Sequence, residues 1–127
     1  MGKGTVSGTR PAAAILESAL PWLQQDFREH GPLRRVLPDE FRIDIVRVFT
    51  EILARADDDD GNEAVEFVEE IVRTSATLGA KPHHFELWLE RYEAQGRNLV
   101  GDSKWEPFDP IFARVRVRLA ELKDQPL

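Results

Sequence analysis

Apolar side chains recur at intervals of three and four residues along most of this chain, and prolines and glycines cut the pattern into blocks. That period puts the apolar positions on one face of a helix, whereas a half-buried strand needs strict alternation. The first block, about residues 11–30, carries Ile15, Leu16, Leu20, Leu23 and Phe27 on one stripe. Pro11 suits a first helical turn. Pro21 interrupts the block, so a kink or a break into two short helices is expected there. His30, Gly31 and Pro32 then form a stop signal.

A turn over residues 33–37 leads to a second helix, about residues 39–56, with Phe41, Ile45, Val48, Phe49, Ile52, Leu53 and Ala56 at helical spacing. A third, about residues 62–78, opens on Asn62 as N-cap and closes on Gly79, a natural left-handed C-cap. A fourth, about residues 82–98, faces Phe85, Trp88, Leu89 and Tyr92 inward, and Gly96 weakens its last turn. The loop LVGDSKWEP leads to a fifth, about residues 109–123, with Phe108, Ile111, Phe112, Val115, Leu119 and Leu122 on its core face. The run from Arg114 to Leu119 alternates like a strand. Helical periodicity on both sides, and no second strand to pair with, decide for helix. The expected fold class is therefore all-α, a bundle of about five main helices with a short or merged N-terminal helix.

The chain has 127 residues, the size of one domain. Residues 11–127 are expected to form it, and residues 1–10 a disordered leader. The absence of cysteine excludes disulfides, thiolate metal sites and cysteine catalysis, and suits a cytoplasmic location. No apolar run reaches the roughly 18 residues of a membrane span. The N-terminus lacks a signal-peptide core, a myristoylation pattern and the spacing of a phosphate loop. A net charge of −6 repels phosphates, so nucleic acid is not an expected partner.

The search for chemistry yields little. Asp57 to Asp60 precede Gly61, but Ala56 stands where a calcium loop needs its first ligand. The run reads as a solvated connector whose acids favour the next helix N-terminus. Ser7, Ser18, Ser75 and Ser103 lie in no nucleophile motif. His83 and His84 are adjacent, so on a helix they point about 100° apart and do not readily share a metal. Arg114, Arg116 and Arg118 could bind an anion, or pair with Glu121 and its neighbours as a solvated face. Val117 falls off the core stripe beside them, as a contact for a partner or as a partly covered surface valine. No enzyme activity and no metal are expected.

The order of these blocks resembles the globin family. The segment VEEIVRTSATLGAKPHHFELWLERYEAQGRNLVG is similar to the F-to-G region of bacterial haemoglobins, with LGAKPHHF at Leu78 to Phe85. DFREHGPLRRVLPDEF resembles the B–C corner, with Val36, Leu37 and Pro38 in place of its LFP motif. The likeness spans about residues 20–122. It departs from the family at the haem: the proximal-histidine position holds Ser75, a poor iron ligand. Leu37 replaces the stacking phenylalanine, and no His or Gln stands near Phe41 to Ile43.

The resemblance thus implies a haem-less globin-like sensor or regulatory protein that binds a partner protein or a small apolar ligand, as stressosome and sporulation-inhibitory globin domains do. An unfilled haem space would cost several kcal/mol at about 24 cal/mol per Å³. Phe27, Phe41, Phe49, Phe85, Trp88 and Tyr92 can fill it. Otherwise Leu37, Phe49, Leu53, Ile71, Ser75 and Trp88 line an apolar pocket. One alternative is a haem-binding globin for oxygen, nitric oxide or redox sensing, ligated through His30, His83 or His84. Another is a helical adapter without a pocket. The family's habit of pairing through its last two helices implies a possible homodimer there, with Arg114, Val117 and Arg118 as contact residues.

Overall fold

A computed structural model describes residues 8–126, and every regular element among them is helical. The helices are α1 (Arg10–Ser18), α2 (Leu20–Glu29), α3 (Asp39–Ala54), α4 (Asn62–Ala76), α5 (Pro82–Val100), α6 (Asp102–Trp105) and α7 (Asp109–Lys123). Short 3-10 turns occupy Ala56–Asp58 and Glu106–Phe108. No helix among the described residues is long and apolar enough to cross a membrane.

The break between α1 and α2 falls at Ala19, two residues before Pro21. Pro21 thereby sits in the first turn of α2, where its missing donor costs nothing. Of the expected leader, residues 1–7 lie outside the described residues, while Thr9 and Arg10 belong to the fold. Thr9 is fully buried; its N–H donates to Asp57 Oδ2 at 2.8 Å and its hydroxyl to the Leu53 carbonyl at 3.0 Å.

Three further expectations are corrected. Asn62 does not cap α4: Gly61 holds that place at φ +83°, and Asp59 accepts from the N–H groups of Gly61 and Glu63. The run of acids is therefore a clamp as well as a connector. Gly96 does not fray α5; it is buried against Trp105, whose ring would lie 2.1 Å from an added Cβ. The loop after α5 folds as α6 and a 3-10 turn because Trp105 and Phe108 are fully buried and draw the backbone inward.

Two packing groups build the molecule. In one, α3 lies on α1 and α2; in the other, α7 lies on α4 and α5. α7 runs with α4, since Arg114 reaches Asn62 and Arg118 reaches Glu69. It runs against α5, since Asp109 meets Arg97 and Lys123 meets Glu86. The α2–α3 corner is held by Arg42, a buried cation. Its guanidinium donates to the carbonyls of Phe27, Arg28 and Leu37, which the end of α2 and the following turn leave open, and to Asp39.

Candidate functional site

Phe49 of α3 stands where the two packing groups meet. Its ring lies edge-on to Trp88 at 5.3 Å, Tyr92 at 5.0 Å and Phe112 at 5.8 Å, and stacks on Phe67 at 6.3 Å. Phe27 reaches Trp88 at 5.6 Å from α2. Such pairs add about 0.5–1.5 kcal/mol each beyond their burial. One polar bond crosses this interior: Thr50 Oγ1 and Tyr92 Oη lie 2.6 Å apart, and Thr50 also donates to the Val46 carbonyl. Burial pushes the Tyr92 phenol above its ordinary range, and the Thr50 bond offsets part of that shift.

The six residues expected to line a pocket are all buried. Phe49 and Trp88 meet directly, so aromatic rings occupy the centre of the group. Four surface hollows among the described residues are lined by other residues. Two polar atoms of the group have no partner among the described residues: Ser75 Oγ and Trp88 Nε1 are buried without a hydrogen bond. An orphaned buried donor costs about 1–3 kcal/mol. Ser75 is legible from the sequence as the polar member of this apolar set, but the missing partners of both atoms are not.

The histidines stand elsewhere. His30 ends α2 and is exposed, as is His83. His84 is half-buried, and its Nδ1 accepts the Lys81 N–H at 2.8 Å, capping α5. Burial, then the charges of His83 and Lys81, lower the His84 pKa. Ser75 is buried, aromatic rings fill the centre of the group, and the three histidines lie outside the buried core.

The second candidate is the outer side of α7. Arg114, Val117 and Arg118 do come together here, lining a shallow hollow with Val65, Ala113 and Glu121. Val117 is 61% exposed. The arginine stripe is largely used within the chain. Arg118 donates to Glu69 at 2.8 Å and Glu121 at 3.0 Å, and Arg116 pairs with Glu93. Arg118 first, then Arg73, hold the Glu69 carboxyl down at about 2. Arg114 differs: it donates to the Asp60 carbonyl and Asn62 Oδ1, both at 2.6 Å, and meets no carboxylate among the described residues.

Comparison with protein-family models, curated proteins and solved structures finds no match for this chain.

Proposed function

We propose that this chain is a haem-less, globin-like regulatory protein of the cytoplasm, without catalysis of its own, that works by docking a protein on the outer side of α7. The observation that carries the haem-less reading is the aromatic packing around Phe49, which fills the interior with side chains. Ser75 at the proximal position points the same way. The docking part rests on Val117, a β-branched apolar residue left in water beside an arginine with no acidic partner among the described residues. Haemin added to the purified protein tests the first part. No Soret band is expected to survive gel filtration in stoichiometric amount. A stable band would overturn the reading, and alanine at His30, His83 or His84 would then find the ligand.

A second reading is favoured by the orphaned donors Ser75 Oγ and Trp88 Nε1. An apolar molecule with a polar head would satisfy one of them after a modest opening of the core. Mass spectrometry of the protein under native and then denaturing conditions tests it. A small molecule released on denaturation supports this reading, and a bare chain in both spectra counts against it.

A further inference from the structure

Acids outnumber bases in this chain, and outside two places every described arginine pairs with an Asp or Glu of the chain. Arg114 on α7 is one exception. The others, Arg28, Arg34 and Arg35, stand together at the α2–α3 corner, and all three are exposed. Two nearby carboxylates do not neutralise them. Glu29 accepts from Gln25 Nε2 at 2.9 Å, and Glu40 meets no cation among the described residues. Asp39 is taken by Arg42. The corner is also a fixed frame. Arg42, buried beneath it, donates to the carbonyls of Phe27 and Arg28 at the end of α2 and of Leu37 at the end of the turn. Gly31, at φ +106°, lets the chain turn away from α2, and the N–H groups of Val36 and Leu37 close the turn on the Leu33 carbonyl at 3.0 Å. Pro32 and Val36 are half-buried and Pro38 is exposed, so apolar surface lies among the cations.

We propose that this corner docks an acidic segment of a partner protein, which sets Asp and Glu side chains against Arg28, Arg34 and Arg35 and apolar side chains against Pro32 and Val36. A guanidinium is a planar fork that a carboxylate meets with two parallel bonds. Elsewhere in the chain that fork is spent on internal acids, and here it faces solvent. A frame ordered before the partner arrives lowers the cost of ordering on binding. The net charge of −6 favours a short segment over a nucleic acid or an anionic membrane. An extended array of phosphates is repelled by the rest of the molecule, whereas a segment no wider than the corner stays within about one screening length, roughly 10 Å, of the local positive charge. No Phe, Tyr or Trp stands between positions 28 and 38 to stack a base. The corner shares no residue with the outer side of α7, so the two surfaces stand or fall separately.

Fluorescence anisotropy of a labelled short peptide of Asp, Glu and Leu in equal parts, titrated with the full chain, tests the proposal. Saturable binding is expected at low salt, weakening as salt rises. Arg34→Glu combined with Arg35→Glu should weaken it about tenfold or more, and Arg28→Gln about threefold. The urea midpoints of these variants should match the wild type, since the side chains are exposed and the frame is held by Arg42. If the double reversal loses its fold, Arg34→Gln with Arg35→Gln replaces it. Lys104→Glu changes the net charge as much as Arg34→Glu does, at an exposed position on α6, and should leave the affinity within about twofold. No saturable binding of the peptide would overturn the proposal. So would a loss on Lys104→Glu equal to that on Arg34→Glu, because net charge and not the corner would then set the affinity. Oligothymidylate or phosphatidylglycerol vesicles that bind more tightly than the peptide, and lose that binding with the same arginines, would overturn the choice of a protein segment. A Soret band in the haemin experiment would bear on the cofactor and not on this corner.

Discussion

At the α2–α3 corner one buried arginine gives its donors mostly to backbone carbonyls, whereas along the α4–α7 seam surface arginines give theirs mostly to carboxylates. Arg42 sits in low dielectric and satisfies carbonyls that a helix end and a turn would otherwise leave bare. Arg118 and Arg73 share Glu69 in partial contact with water, where solvent screens each pair. The same side chain therefore fixes a chain path in one place and trims surface charge in the other. Burial and the identity of the acceptor, rather than the number of bonds, set what each arginine contributes.

The contrast can be broken at its strong end first. Arg42→Ala should cost about 3 kcal/mol, because it strands buried carbonyls, and should lower the urea midpoint at constant m-value. Arg42→Lys should recover less than half of that, since an ammonium cannot span three separated acceptors. Arg91→Ala is intermediate. It removes a two-pronged bond to Asp26, whose side chain is only 10% exposed, and should cost about 1–2 kcal/mol in the same assay.

The seam should yield smaller effects. Arg118→Ala should lower the urea midpoint less than Arg91→Ala does, and less still in high salt. Its pH signature is sharper. The folded-state pKa of Glu69 is depressed to about 2, so its contribution is complete above the unfolded value near ~4.3 and lost as pH falls toward 2. The melting temperature of Arg118→Ala should therefore fall less steeply than that of the wild type across that window. An equal slope in both proteins would mean that Arg118 does not hold Glu69. Smallest of all, Val117→Ser should change monomer stability by less than about 0.5 kcal/mol, a surface value for a surface residue.

Much of the fold was legible because helix stops are local. Gly79 is left-handed at φ +95°, and the fifth block matches α7 over residues 109–123. What the sequence hid depends on residues distant along the chain. Gly96 reads as a weak helix former until Trp105 is found against it. Thr9 reads as leader until Asp57 and Leu53 come within bonding distance. Asn62 has the right chemistry for a cap, but the turn through Asp60 and Gly61, both at positive φ, hands that role to Asp59. In the candidate site the apolar residues were readable from their period. The grouping of Arg114, Val117 and Arg118 was readable from helical geometry, and the missing acidic partner of Arg114 was not.

The bond between Thr50 and Tyr92 makes an optical reporter of the molecule. Tyr92 is the chain's single tyrosine and is fully buried. Its raised pKa means that the native state holds the phenol proton more tightly than the unfolded chain does. The associated stability is complete below the unfolded value near ~10 and drains away as pH rises beyond it. Phenolate absorbance in an alkaline titration therefore follows the opening of the core rather than the titration of a free side chain. One wavelength then reads whether the interior where the two packing groups meet comes apart in a single step.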